Sequence, residues 1–173
     1  MVQTNPGSSI IVVCDAGPVI HLDELDQLPL LNDFSEVLIP DTVWNEVQKH
    51  RPQAIELCRQ WAQKVTPVQP LSAKLQATIQ LFSLHAGEIQ ALQIIEEHPT
   101  DLFLTDDSAA RLAAGTVNVK VHGTLGILLR AIRRQQLTRQ QVVSLLKAIP
   151  DKTSLHLRPS LLKQIISEVE DSS

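Results

Sequence analysis

Short apolar runs alternate along this chain with longer stretches whose apolar positions recur every three or four residues. Residues 10–14, Ile-Ile-Val-Val-Cys, have no polar face, which predicts a strand buried on both sides. Residues 37–39, closed by Pro40, read the same way, as do residues 102–105 and 117–121. Residues 65–68, set among prolines, read as a short edge strand at most.

Helical periodicity fills the gaps. Gly17-Pro18 opens one helix, since Pro fits a first helical turn, and Pro29 keeps the leucines up to Leu31 irregular. Asp41 is placed to cap a helix over 42–49, and Pro52 starts another that carries Ile55, Leu57, Cys58 and Trp61. Further helices are predicted over 72–82, 86–97, 108–114, 123–135, 139–148 and 160–169. In the stretch 123–135, Leu125, Leu128, Leu129 and Ile132 follow the i, i+3, i+4, i+7 spacing of a buried face. Strands alternating with helices predict an α/β fold: a mostly parallel sheet covered on both sides. The expected organisation is a flexible tail at 1–9, a domain over 10–150, and a helical extension of it over 151–173.

Composition narrows the setting without naming a function. At 173 residues, with 43% hydrophobic and 20% charged content, the chain reads as an ordinary globular protein able to bury a real core. No apolar run approaches bilayer-crossing length, so no membrane partner is expected. The polar N-terminus shows no signal-peptide pattern. Cys14 and Cys58 share no CxxC spacing, and a reducing cytoplasm is the simplest location.

Charge changes the picture more. The formal net charge is −4, from 15 basic and 19 acidic residues. Yet residues 108–150 hold seven basic side chains, Arg111, Lys120, Arg130, Arg133, Arg134, Arg139 and Lys147, and no acid. An acidic region beside a basic one suits a protein that grips a polyanion around a bound cation. It suits equally a basic face that meets an acidic protein.

Five carboxylates carry the candidate chemistry: Asp15, Glu46, Glu88, Asp106 and Asp107. Asp15 directly follows the first strand, and Asp106-Asp107 follow residues 102–105. In a parallel sheet such positions meet at the carboxyl ends of the strands, where ligands bind. Acids crowded there stay ionised together only if a cation joins them, and all-oxygen donors select a hard metal such as Mg²⁺ or Mn²⁺. Taken singly, each acid has a plain structural reading as a helix cap, a first-turn acid or a solvated side chain.

Other residues rank lower. The histidines at 21, 50, 85, 98, 122 and 156 show no zinc spacing, although His85 and His122 fall near the strand ends. Gly123-Thr124-Leu125-Gly126 lacks the GxGxxG spacing; Thr124 reads as an N-cap or as a phosphate contact at a helix start. Arg130, Arg133 and Arg134 share one helical face and could meet an RNA backbone, solvent or an acidic partner. Arg111, four residues after Asp107, is expected to pair with it. With no Tyr, two Trp and three Phe there is no aromatic platform for stacking bases.

In order along the chain, Val12-Val13-Cys14-Asp15-Ala16-Gly17-Pro18-Val19-Ile20, Ile39-Pro40-Asp41-Thr42-Val43-Trp44-Asn45-Glu46-Val47 and Gly87-Glu88-Ile89-Gln90-Ala91-Leu92 form one pattern. It continues through Leu104-Thr105-Asp106-Asp107-Ser108-Ala109-Ala110-Arg111 and Val121-His122-Gly123-Thr124-Leu125-Gly126-Ile127-Leu128. This set resembles the PIN-domain nucleases, and in particular their VapC-like branch. The resemblance implies a three-layer α/β/α sandwich and metal-binding roles for Asp15, Glu46, Glu88 and one of Asp106 and Asp107. Relatives often place that last acid two positions after the strand's Thr, which favours Asp107 and keeps Asp106 as a candidate. Two departures stand out: Glu88 where many relatives use Asp, and Ala16 where a small hydroxyl residue often follows the first Asp.

The resemblance thus implies a Mg²⁺- or Mn²⁺-dependent ribonuclease, the toxin of a toxin–antitoxin pair, with RNA, an antitoxin protein and a second copy of the chain as partners. Carboxylates and metal suffice for phosphodiester hydrolysis, with no His, Ser or Cys nucleophile required. The alternative expectation is a non-catalytic PIN-like module that binds RNA or protein. A phosphatase reading lacks a nucleophile motif.

Overall fold

In the computed structural model, which describes residues 9–172, a single sheet organises the chain. Its strands are β1 (Ile11–Cys14), β2 (Glu36–Pro40), β3 (Ala62–Val65), β4 (Leu102–Leu104) and β5 (Lys120–His122). They lie in the order β3-β2-β1-β4-β5, and every neighbouring pair is parallel. Residues 1–8, most of the tail expected to be flexible, lie outside the described residues, as does Ser173.

Strand side chains alternate between two apolar layers, as the two-residue period of a strand requires. Val12, Cys14, Val37, Ile39, Leu102 and Leu104 pack on one face. That face is covered by α1 (Ala16–Glu24), α2 (Asp41–His50), α3 (Pro52–Cys58), α7 (Thr124–Arg133), α8 (Arg139–Lys152) and α9 (Pro159–Asp171). Val13, Leu38 and Phe103 pack on the other, against α4 (Ala73–Phe82), α5 (Ala86–Glu97) and α6 (Ser108–Ala114). The result is the three-layer α/β/α sandwich expected from the sequence.

Several local expectations shift, each for a physical reason. The edge strand falls at Ala62–Val65 rather than 65–68, because Pro67 has no N–H to give a ladder. The last strand is Lys120–His122 rather than 117–121: residues 115–117 form a 3₁₀ turn, and Asn118 adopts φ 53°, which breaks an extended run. Asp41 is the first residue of α2 rather than its cap, and its carboxylate takes Lys64 Nζ at 3.1 Å. The helix α8 runs on through Pro150 to Lys152, with the ring in its final turn. As Pro29 implied, residues 28–33 form only a 3₁₀ helix.

The order of the strands fixes where a ligand site belongs. From β1 the chain steps through β2 to β3 on one side, then returns to place β4 and β5 on the other. The crevice at the carboxyl ends of β1 and β4 is therefore the switch point, the usual ligand position in an open parallel sheet.

Candidate active site

Asp15 is fixed at that switch point by the sheet itself. Its backbone N–H donates to the carbonyl of Leu104 at 2.9 Å, which joins the ends of β1 and β4. One carboxylate oxygen accepts the Ala16 N–H (2.8 Å) and the other accepts the Thr105 hydroxyl (2.9 Å). Burial pushes its pKa up, the two hydrogen bonds oppose this, and the charges of Glu88 and Glu46 add to the rise, leaving it at about 6. Such a carboxyl is costly to ionise unless a cation arrives.

Glu88 and Glu46 reach the same place from helices. Glu88, buried in the first turn of α5, accepts the His85 N–H at 2.6 Å and leaves its other oxygen without a hydrogen-bond partner among the described residues. Gly87 lets α5 approach closely: a Cβ there would stand 3.0 Å from Val43 and 3.8 Å from an Asp15 oxygen. Gln90, one turn on, accepts the Thr42 N–H and hydroxyl at 3.0 and 2.9 Å. This ties α5 to the start of α2, which carries the exposed Glu46 one turn later.

The two acids after β4 differ sharply. Asp107 caps α6, with one oxygen accepting the Ala110 N–H at 2.7 Å. Asp106 has both oxygens engaged: Thr124 gives its N–H to one (2.7 Å) and its hydroxyl to the other (2.6 Å), which also meets His21 Nδ1 at 2.8 Å. Burial would raise the Asp106 pKa, but the hydrogen bonds from His21 and Thr124 outweigh it and hold the carboxyl below its ordinary value.

All five acids line one cleft of about 670 Å³. His21, His85 and the segment Ser154, Leu155 and His156 complete its walls. The donors are carboxylate oxygens of the kind Mg²⁺ and Mn²⁺ prefer, and the raised Asp15 pKa marks a place that gains from positive charge. The chemistry of the set fits a hard cation. Among the described residues, no three His, Cys, Asp or Glu side chains are already gathered in the arrangement that holds one.

Sequence reasoning missed three contributors. His21 lies four residues after Gly17 on α1, and a Cβ at Gly17 would meet Asp106 at 3.3 Å and His21 at 3.6 Å; the spacing was readable, the shared partner was not. The sequence marks Thr105 as the end of a strand and gives no sign that its hydroxyl steadies Asp15. The segment 154–156 carried no signal at all.

The supporting residues also stand differently from expectation. Gly123, not Thr124, occupies the N-cap position of α7, and the buried Thr124 commits its N–H and hydroxyl to Asp106. Arg111 donates to the Thr105 carbonyl at 3.2 Å rather than pairing with Asp107. Arg130 and Arg134 both form ion pairs with Asp33, and Arg130 lies over the Phe34 ring. Arg133, the third of that stripe, has no acidic partner among the described residues and lines two cavities beside His122.

Fold and cleft together define an α/β protein with an acidic crevice at its topological switch point. The chain belongs to the PIN-domain family: the family model DUF3368, described as a PIN domain, matches residues 11–171. That family has a nuclease-type fold. No curated protein and no solved structure matches the chain significantly. Among the described residues, no helix is long and apolar enough to cross a membrane.

Proposed function

We propose that the protein is a metal-dependent ribonuclease of the VapC-like branch, acting as the toxin of a toxin–antitoxin pair. The observation that carries this reading is the delivery of acids from four separate chain segments to one crevice at the switch point. Asp15, Glu46, Glu88 and Asp107 are the residues that would hold Mg²⁺ or Mn²⁺. When bound, the ion supplies an activated water, neutralises phosphate charge and stabilises the leaving oxygen.

The chain's own residues prepare that chemistry. The Thr105 hydroxyl and the Ala16 N–H aim the Asp15 carboxylate, and the His85 N–H aims Glu88. Asp106, held by His21 and Thr124, anchors the start of α7 against the end of β4 and keeps a negative charge at the floor of the crevice. A cytoplasmic setting, a homodimer and an antitoxin partner belong to the same reading; the two cysteines, free and buried, suit a reducing compartment.

The test is cleavage of single-stranded and structured RNA with Mn²⁺ or Mg²⁺, comparing the wild type with Asp15→Asn. Cleavage abolished by the substitution and by EDTA supports the reading. Cleavage that survives both removes it.

A further inference from the structure

The crevice does not end at its acids. It opens into a second cavity of about 680 Å³, sharing Asp106, Ser108, Leu155 and His156 with it. This groove runs past the end of β5 and is walled by Arg111, Arg133 and Arg158. It meets a third cavity, of about 590 Å³, at His122 and Arg133, where Lys120 adds another cation.

Three facts make this a track for negative charge. Arg111, Arg133, Arg158 and Lys120 have no acidic partner within ion-pair distance among the described residues. Six cations elsewhere are paired, Arg51 with Asp23, Arg59 with Glu56, Lys64 with Asp41, Lys147 with Glu170, and Arg130 and Arg134 with Asp33, whereas these four unpaired ones sit together along the two joined cavities. The groove's one acid, Asp106, is already committed to His21 and Thr124. The field is felt by His122, whose pKa is lowered by burial and by the charges of Arg133, Arg111, Arg130 and Lys120.

We propose that single-stranded RNA leaves the carboxylate crevice over the end of β5, with its phosphates held by Arg111, Arg133 and Arg158 in turn and Lys120 beyond. This rests on the ribonuclease reading and adds a direction to it. Leu125, Leu129, Leu157 and Leu161 give the groove an apolar floor, and apart from Ser108, His122 and His156 its polar side chains are charged. Binding is therefore through the backbone and tolerant of sequence. Of the three arginines in the expected helical stripe, Arg133 joins the grip, while Arg130 and Arg134 are spent on Asp33.

The experiment is fluorescence anisotropy with a labelled oligouridylate of about 12 nucleotides in EDTA, so that binding is read without cleavage. Arg133→Gln and Arg158→Gln, singly and together, are compared with Lys74→Gln, an exposed cation on α4 away from the groove. Each single variant is expected to weaken binding several-fold, and the pair about tenfold or more, with the salt slope falling by about 0.7 per lost phosphate contact. The control is expected to match the wild type. Equal affinity and slope in the double variant and the control overturn the path, as does failure of the wild type to bind RNA. Displacement of RNA by poly-glutamate at equal charge concentration also overturns it, in favour of an acidic protein partner. If the wild type cleaves RNA and the double variant cleaves with unchanged KM, the path falls while the nuclease reading stands. If nothing cleaves yet RNA affinity still drops in the double variant, the path stands and the nuclease reading falls.

Discussion

His21 Nδ1 stands 2.8 Å from Asp106 Oδ2, and both side chains are largely buried, at 12% and 10% exposure. The contact joins the first helix to the loop after β4 across 85 residues of sequence. His21→Ala leaves a buried carboxylate short of one donor. A hydrogen bond to a charged group contributes roughly 1.5–3 kcal/mol, so urea unfolding at neutral pH should show a loss of that order. A loss within error of zero would mean that Thr124 alone satisfies Asp106.

Asp106 and Asp107 should separate cleanly by their amide variants. Asn caps helices about as well as Asp, so Asp107→Asn is expected to change stability by less than about 1 kcal/mol. Calorimetric titration with Mn²⁺ should nonetheless show it binding at least tenfold more weakly. Asp106→Asn turns an amide NH₂ toward groups that donate, and is expected to cost roughly 1–3 kcal/mol in stability. The opposite ranking in the two measurements would reverse the roles assigned here.

For Asp15 the sign of the pH dependence follows from a folded pKa of about 6 against an ordinary 3.8. The folded state binds the proton more tightly than the unfolded chain, so metal-free stability falls as pH rises from about 4 through about 6. Over that window the group's full contribution is on the order of 3 kcal/mol. Metal-free Asp15→Asn should match the wild type near pH 4 and exceed it above pH 6, as read by chemical denaturation. Saturating Mn²⁺ should reverse that order above pH 6 by stabilising the wild type alone.

Gly123 sits where no side chain fits. A Cβ would lie 2.4 Å from an Asp106 oxygen, 2.9 Å from Arg111 Nη2 and 3.2 Å from the Thr105 carbonyl. Gly123→Ala is expected to cost about 1–3 kcal/mol or more and to lower Tm. Gly115→Ala, where a Cβ meets nothing within 4 Å, is the matched control and should leave Tm unchanged or raised.

What the sequence disclosed was mostly local or periodic. The run ending at Cys14, the helix Ala86–Glu97 and the helix Ser108–Ala114 were legible because burial on both faces and helical spacing are written into neighbouring residues. The position of Asp15 after β1 followed from the same logic. The strand at Ala62–Val65 was not legible, since Gln63 and Lys64 are exposed and its place depends on pairing with β2. Asp41 and Thr124 looked like caps because their types favour capping, but Lys64 and Asp106, distant in sequence, claim them. The pairing of Arg130 and Arg134 with Asp33 spans about a hundred residues and left no local trace.

The connection between α8 and α9 contributes Ser154, Leu155 and His156 to the wall of the acidic crevice, and Ser154 is pinned to Glu24 by its N–H at 2.9 Å. The crevice therefore draws on both ends of the described chain, from Asp15 to His156. During synthesis the first acids emerge long before this wall does, since a chain folds as it leaves the ribosome from its N-terminus onward. If the proposed ribonuclease activity is right, the nascent chain would stand beside the message encoding it with its cleft still open on one side. The site becomes whole only when the connection that follows α8 closes that side.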